Sequence, residues 1–237
     1  MTNSRGRFYG IGVGPGDSNL LTIKVVKALK RLDVLYVPIA KDDQPSLAES
    51  IAQPYLPMGI TIKQRLFPMT RNRDRRTAAL TVIADEMVLD IDAGANVGML
   101  TLGDPAVYST VSYIVTLLNE RVPVTLMAGV ASYSQLAATV GQPLMCDEES
   151  LCIMPATAGF PKLKQAILQH DNIVIMKIKV AFADVYTFLS QLNLLDHAVL
   201  VTNVSLADQS IQRLTDMTGT EELTYFTTLL IKKDVAS

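Results

Sequence analysis

Short apolar runs alternate with segments of helical periodicity along most of this chain, and that alternation limits the folds open to it. In the first half the apolar runs fall at residues 8–13, 34–39, 60–67, 97–102 and 123–127. Apolar residues at helical spacing predict helices near 21–32, 46–53, 75–91 and 106–120. Strand and helix patterns in this order are typical of α/β proteins with a mainly parallel sheet.

The pattern changes after residue 128. Shorter apolar runs follow at 151–155, 173–178, 198–204 and 225–231, and an amphipathic stretch covers 182–192. The sequence contains no internal repeat and no low-complexity segment. We therefore predict two domains, residues 1–128 and 129–237, joined without a long linker.

The composition provides ample apolar material for a core. Hydrophobic residues make up 49% of the 237 residues and charged residues 19%, with a formal net charge of −2. This balance gives no electrostatic reason to expect nucleic acid as a partner. Because no stretch approaches the length of uninterrupted apolar sequence that a membrane span requires, we expect a soluble, cytoplasmic protein without a membrane partner.

The cysteines and histidines are too few and too scattered to indicate a metal site. Cys146 and Cys152 fit neither a CxxC zinc knuckle nor a disulfide framework. His170 and His197 are the only histidines, and each adjoins a predicted strand. We therefore expect no protein-bound metal and find no arrangement typical of a hydrolase.

The stretch GIGVGPGD, residues 10–17, is a glycine-rich turn after the first predicted strand. It matches neither the dinucleotide-binding glycine motif nor a phosphate-binding loop with Gly-Lys-Ser/Thr. Glycines here permit positive φ and close approach of a ligand, while Pro15 fixes one dihedral. Two interpretations remain open: a plain strand-to-helix turn capped by Asp17 or Ser18, and a ligand-binding loop.

A second turn, LGDPAVYST at residues 102–110, raises the same question. Asp104 before a proline is typical of a helix N-cap with proline at the first helical position. The carboxyl end of a parallel strand is also where ligands bind, and Tyr108, Ser109 and Thr110 would add hydroxyls in the first turns of the helix. These residues alone are compatible with a cap and with a ligand contact.

The run PMTRNRDRR carries arginines at positions 71, 73, 75 and 76. A charge run is usually a solvated face. This one lies where a helix begins, and positive charge there is unfavourable by up to about 1 kcal/mol. Since guanidinium groups bind carboxylates in a bidentate way, the charge indicates that Arg71 and Arg73 contact an anionic ligand. A solvated surface is the alternative.

Three stretches, taken in order, resemble one protein family. GIGVGPGDSNLLT near the N-terminus, LTLGDPAVYST near residue 100 and AGVASYSQLAATVGQPL after it are similar to the tetrapyrrole methylases, the S-adenosylmethionine-dependent methyltransferases of corrin and sirohaem synthesis. The resemblance spans essentially the whole chain. It implies a homodimer of two α/β domains, the first with a mainly parallel sheet and the second with a mixed sheet, and a methyl donor folded in the cleft between them.

The resemblance also implies which positions contact the donor, S-adenosylmethionine. Several of them would act through backbone atoms, so their side chains can vary. They are Pro15, Leu102, Gly103, Asp104, Val107, Ala131, Ser132, Lys177, Val204 and Ser205. The substrate would be a polycarboxylate macrocycle, whose acetate and propionate arms suit the arginines.

Within the family, GDPAVYST, FPMTR, DEESLCIMPAT and YFTTLLIKK are most similar to members that methylate C-20 of precorrin-2 or cobalt-precorrin-2 in cobalamin biosynthesis. On this resemblance Tyr108, Ser109 and Thr110 indicate C-20 among the ring positions that the family serves. They are therefore candidate substrate contacts.

Three residues in two segments, Ala128, Asn203 and Val204, depart from the family pattern. Ala128 and Gly129 stand where Pro-Gly is usual, and Asn203 and Val204 stand where arginine and glycine are usual. A valine there would crowd the adenosine. Methylation of C-11, of C-17 or of a uroporphyrinogen carbon therefore stays an alternative, as does a relative that binds donor or tetrapyrrole without turnover.

Overall fold

The computed structural model describes residues 5–39, 46–68, 70 and 72–233. The chain divides into two compact units between Ala131 and Ser132. Whether residues 1–128 and 129–237 act as separate domains stays a prediction.

The first unit contains a five-stranded parallel sheet with helices packed on both faces. The spatial order of its strands is β3-β2-β4-β1-β5, and every neighbouring pair is parallel. The strands are β1 (Phe8–Gly12), β2 (Val34–Ile39), β3 (Thr61–Leu66), β4 (Val97–Thr101) and β5 (Val124–Met127). The helices are α1 (Ile23–Leu29), α2 (Leu47–Ala52), α3 (Arg73–Asp92) and α4 (Val111–Leu118). The predicted parallel sheet is confirmed.

The central strands of this sheet are apolar along their length because both faces are covered. Tyr36 and Met99 point toward the layer formed by α3 and α4, where they are fully buried. The neighbouring residues Leu35 and Leu100 pack on the other face against α1 and α2. Successive side chains of a strand point to opposite faces of the sheet. When helices cover both faces, the residues that point to either face must be apolar.

A charged cluster attaches the edge strand β3 to α3. Lys63 Nζ lies 2.8 Å from Asp90 Oδ2, and Arg65 Nε donates to Glu86 Oε2 at 2.8 Å. The Tyr36 hydroxyl donates to Asp90 Oδ2 at 2.7 Å. Hydrogen bonding by Arg65 lowers the pKa of Glu86 to about 2, and burial raises the pKa of Tyr36. These pairs hold a largely exposed strand against the helix layer.

The second unit contains a mixed five-stranded sheet in the order β6-β7-β10-β8-β9. Its first pair is parallel and the other three pairs are antiparallel. The strands are β6 (Leu151–Pro155), β7 (Asn172–Met176), β8 (Ala198–Thr202), β9 (Ser210–Arg213) and β10 (Thr227–Lys232). The helices are α5 (Ser132–Val140), α6 (Phe160–Gln169) and α7 (Phe182–Gln191). The implied mixed sheet is confirmed.

Several boundaries differ from the sequence-based ones. The helix predicted from residue 106 begins at Val111, because Tyr108 has a φ of +47° and interrupts a helical path. The elements α5, α6 and β9 were not predicted, and β9 has four exposed residues without an apolar alternation. Among the described residues, no helix combines the length and the apolar character that a membrane crossing requires.

Candidate functional site

Three loops of the first unit meet at one end of its sheet. They follow β4, β1 and β5, which are neighbours in the sheet, so their carboxyl ends lie side by side. Val13 N donates to the Thr101 carbonyl at 3.0 Å, just beyond β1. Gly14 and Gly103 then exchange two backbone hydrogen bonds, of 3.2 and 2.7 Å. The loop after β1 is therefore fastened to the loop after β4.

Glycines allow these loops to touch. A Cβ on Gly129 would lie 2.2 Å from the Gly103 carbonyl oxygen, and one on Gly12 would lie 2.5 Å from the same atom. Gly14 and Gly103 also have positive φ, +76° and +66°. We call these four residues, Gly12, Gly14, Gly103 and Gly129, the glycine junction. Gly12, Gly14 and Gly103 are buried in this contact, so the loops are joined through backbone atoms.

Asp104 links two loops of the junction. Its Oδ1 accepts a hydrogen bond from Ala106 N at 2.8 Å, and its Oδ2 accepts one from Gly129 N at 3.1 Å. Because α4 begins only at Val111, Asp104 is not its N-cap, and that interpretation of the sequence is wrong. The carboxylate instead fixes the loop after β5 relative to the loop after β4.

The hydroxyl residues after Asp104 precede α4, so the prediction that they lie in its first turns is wrong. Ser109 is buried, donating to Thr101 Oγ1 at 2.9 Å and accepting from Val111 N at 3.1 Å. Tyr108 has about half of its surface exposed, at 51%. Contact of Tyr108, Ser109 and Thr110 with a substrate stays a prediction.

The remaining donor positions of the first unit lie in the same loops. Pro15 follows Gly14, and Leu102 precedes Gly103 directly. Val107 N donates to the Asp104 carbonyl at 3.1 Å, in the turn before α4. The three loops thus contain most of the positions that the resemblance assigns to the donor, although their contact with it stays a prediction.

The arginine run begins α3. Asn72 caps this helix by accepting a hydrogen bond from Arg75 N at 3.0 Å, and Asp74 offsets some of the positive charge in the first turn. The Arg76 guanidinium lies 4.5 Å from the centroid of the Tyr113 ring on α4. Arg73 is exposed at the first helical position. The Arg71 prediction falls outside the described residues.

In the second unit the donor positions lie at the ends of β7 and β8. β10 runs antiparallel between these strands, so its beginning adjoins their carboxyl ends. Lys177, Asn203 and Ser205 have left-handed φ values of +57°, +54° and +64°. We call this region the β7–β8 edge; its residues are Lys177, Asn203, Val204, Ser205, Tyr225 and Phe226.

Val204 is a core residue of the second unit. It is 9% exposed and belongs to an apolar cluster with Leu136, Val174, Val201 and Leu230. Crowding of the adenosine by this residue stays a prediction.

The aromatic residues at this edge were not identified as site residues from the sequence, which predicts a strand from residue 225. The structure starts β10 at Thr227 and leaves Tyr225 and Phe226 in the turn before it. Lys177 Nζ lies 5.4 Å from the centroid of the Tyr225 ring. An aromatic pair directly before an apolar run is the only sequence signal that could have indicated them.

The histidines lie at the ends of elements, as the sequence predicts. His170 directly follows α6 as its C-cap, and His197 precedes β8 with its Nδ1 3.1 Å from the Lys232 carbonyl oxygen. Among residues 5–39, 46–68, 70 and 72–233, no group of three or more His, Cys, Asp or Glu side chains is arranged to hold a metal ion.

Residues 7–217 match the family model of the tetrapyrrole (corrin/porphyrin) methylases, and the chain belongs to this family. It is 31% identical over 229 residues to the cobalt-precorrin-2 C(20)-methyltransferase of Salmonella typhimurium, covering 96% of this chain and 97% of that protein. It is also 39% identical over 174 residues to the probable cobalt-precorrin-2 C(20)-methyltransferase of Methanocaldococcus jannaschii, covering 73% of each chain.

Solved structures share the fold. The X-ray structure of a cobalt precorrin-4 methyltransferase superposes with a TM-score of 0.75 at 22% identity, covering 98% of this chain and 97% of that one. A uroporphyrin-III C-methyltransferase from Thermus thermophilus, complexed with S-adenosylhomocysteine, gives 0.68 at 21% identity over 96% and 92% of the two chains. At these identities the likeness is evidence for the fold alone.

Proposed function

We propose that this protein transfers a methyl group from S-adenosylmethionine to C-20 of precorrin-2 or cobalt-precorrin-2 in cobalamin biosynthesis. The glycine junction carries the proposal. It holds together, at the carboxyl end of the parallel sheet, the loops that contain most of the predicted donor positions, and the chain is a member of the tetrapyrrole methylases. The names of the relatives support C-20 as the position methylated.

Little side-chain chemistry is required for this reaction. The sulfonium sulfur of the donor is already a good leaving group. The nucleophilic C-20 forms a bond to the methyl carbon as the carbon–sulfur bond breaks, and its electron pair leaves with sulfur, giving S-adenosylhomocysteine. C-20 then gives up its proton to a base or to water, which neutralises the methylated ring. Holding carbon, methyl and sulfur in line at about 3–3.5 Å is catalysis by positioning.

The loops of the first unit suit this role. The double backbone pairing of Gly14 with Gly103 and the two hydrogen bonds accepted by Asp104 fix the loops before any ligand arrives. A site that is already ordered loses less conformational entropy on binding. Pro15, Leu102, Gly103, Asp104, Val107 and Ala131 are the proposed donor contacts here, with Ser132, Lys177, Val204 and Ser205 in the second unit.

The substrate contacts are proposed from charge and position. Arg73 is exposed at the start of α3, and the guanidinium of Arg76, three residues later, packs over the Tyr113 ring. Two guanidinium groups in one helical turn suit the carboxylate arms of a tetrapyrrole. Tyr108, Ser109 and Thr110 complete the proposed set, and the proposal includes a cytoplasmic homodimer.

The test is an assay with S-adenosylmethionine labelled in its methyl group, supplied with precorrin-2, cobalt-precorrin-2 or uroporphyrinogen III. We expect one labelled methyl group in the product of at least one precorrin-2 form, which NMR locates at C-20. Comparing the metal-free and cobalt-loaded substrates decides between them. Labelling at another ring carbon would contradict the C-20 assignment, and donor binding without labelled product would contradict the enzyme assignment.

A further inference from the structure

Helix α3 has apolar residues on two opposite faces. Five of them are buried on its inner face, in the core of the first unit: Leu80, Ile83, Ala84, Met87 and Ile91. On the outer face, Val82 and Leu89 are each 70% exposed. They are seven residues apart, so they lie on the same side of the helix. A helix that is apolar on both faces is typical of one that is covered on both.

Val82 and Leu89 belong to a stripe that runs along the outer face of α3. We call it the α3 stripe; all its residues are exposed, and they are Arg75, Ala78, Val82, Asp85, Leu89 and Asp92. Their spacing alternates between three and four residues, which is the pattern of helices that pack side by side in a coiled coil. At 1.5 Å per residue the stripe is about 26 Å long.

Bases and acids occupy opposite ends of α3. Its three arginines lie in the first turn, and its second half contains four acids: Asp85, Glu86, Asp90 and Asp92. Among the residues that the structure describes, Arg75 forms no ion pair. Arg5 contacts Oδ1 of Asp92 at 2.8 Å, and the side chain of Asp92 remains 50% exposed. Both ends of the α3 stripe are therefore accessible to an opposite charge.

We propose that the α3 stripe packs against the α3 stripe of a second copy of the chain, with the two helices antiparallel. A two-fold axis through the middle of the stripe sets Arg75 against Asp92 at both ends, and Ala78 against Leu89. Opposite charges then meet at both ends, and a small side chain leaves room for a large one. A parallel pair would set Arg75 against Arg75, and like charges in contact are destabilising.

The central layer of such a pair sets Val82 of one copy against Asp85 of the other. Arg121 Nη2 donates to Asp85 Oδ1 at 2.7 Å, so this carboxylate keeps a partner of its own. The pairing removes Val82 and Leu89 of both copies from water, which favours association. Because an interface of one helix pair is small, we expect a dissociation constant of about 10 µM. This inference concerns assembly and does not depend on methyl transfer.

The experiment measures the dimer dissociation constant of the full chain by analytical ultracentrifugation. In Leu89→Asp both copies lose a buried apolar side chain, so we expect the constant to rise by at least about a hundredfold. Ile23→Asp is the matched control, since Ile23 is 75% exposed at the first position of α1, where an acid is favourable. It should change the constant by less than about twofold.

Two charge reversals test the antiparallel arrangement. Arg75→Asp alone sets acid against acid at both ends, and Asp92→Arg alone sets base against base, so each should weaken its own dimer about tenfold. An equimolar mixture of the two variants pairs acid with base at both ends. We therefore expect the mixture to form a heterodimer within about threefold of the wild-type constant.

Thermal unfolding shows whether each variant is folded, and Leu89→Gln replaces Leu89→Asp if the charge unfolds the helix. A wild-type dimer that persists in the Leu89 variant, or that Ile23→Asp weakens equally, would overturn this inference alone. A mixture that associates no better than its two components would overturn the antiparallel arrangement. Wild type that stays monomeric at about 1 mM would overturn this inference together with the proposed homodimer, and would leave the methyl-transfer assay unaffected.

Discussion

The two units hold their predicted donor loops by different means. In the first unit all strands are parallel, and the loops touch through glycines. Two of them, Gly12 and Gly129, leave no room for a Cβ, which on Gly129 would lie 2.2 Å from the Gly103 oxygen. In the second unit the antiparallel β10 separates β7 from β8. There the left-handed positions are occupied by Lys177, Asn203 and Ser205.

This difference has a physical consequence. Glycine adopts positive φ without steric cost, whereas another residue loses about 1–2 kcal/mol there. The glycine junction therefore depends on the absence of Cβ atoms, whereas the β7–β8 edge retains side chains at a conformational cost. Backbone atoms thus join the loops of the glycine junction, while side chains remain at the left-handed positions of the β7–β8 edge.

The largest effect is expected from adding one methyl group to the glycine junction. In Gly129→Ala the Cβ would lie 2.2 Å from a backbone oxygen, so a loop must move. We expect the free energy of unfolding to fall by about 3 kcal/mol, measured by urea denaturation. Methyl transfer should fall by about a hundredfold, since displacement of a positioning loop by about 1 Å costs that much.

Gly98→Ala is the matched control for this substitution. Its Cβ would lie 2.5 Å from Leu32 Cδ1, so the close contact is with a buried side chain and not with the backbone of another loop. We expect a smaller loss of stability, about 1 kcal/mol, and normal methyl transfer. Equal losses in the two alanine variants would show that backbone contact at the junction has no special role.

A smaller effect is expected from Asp104→Ala, which leaves two backbone N–H groups of the first unit without their acceptor. We expect a loss of about 1–2 kcal/mol in the free energy of unfolding. Donor affinity should fall about tenfold, measured by calorimetry, because the loops lose their link. Asp104→Asn keeps one acceptor oxygen, so its stability and its donor affinity should lie between those of wild type and Asp104→Ala. Normal donor affinity in both variants would show that Asp104 stabilises the loops without affecting donor binding.

The sequence predicted the sheets better than the loops. The strand at 34–39 and the strand at 151–155 match β2 and β6 residue for residue, because apolar runs between helices leave few alternatives. The start of α4 was misplaced, since Asp104 before proline has the composition of a cap while Tyr108 turns the chain out of a helix. Local preference for a helix was overridden by contacts between loops distant in sequence.

Site residues whose role depends on such contacts were the hardest to predict. Gly129 was noted only beside the departure at Ala128, because its proximity to Gly103 arises from the neighbouring positions of β4, β1 and β5. Tyr225 and Phe226 were counted as the start of a strand. Their proximity to Lys177 follows from the insertion of β10 between β7 and β8, an order that apolar periodicity does not encode.

The smallest effects test the backbone difference itself. In Gly14→Ala the new Cβ would lie 3.4 Å from Leu20 Cβ, which is an ordinary contact, so only the positive φ opposes the substitution. We expect the free energy of unfolding to fall by about 1 kcal/mol.

Ser205→Gly removes the steric cost of a left-handed residue but increases the conformational entropy of the unfolded chain. Because the two effects nearly cancel, the free energy of unfolding should change by less than about 0.5 kcal/mol. Urea denaturation measures both. Ser205→Ala keeps the Cβ and lacks the hydroxyl; if Ser205→Gly and Ser205→Ala were equally destabilised by more than about 1 kcal/mol, the hydroxyl rather than the backbone would hold this loop, and the contrast between the units would lie in side chains alone.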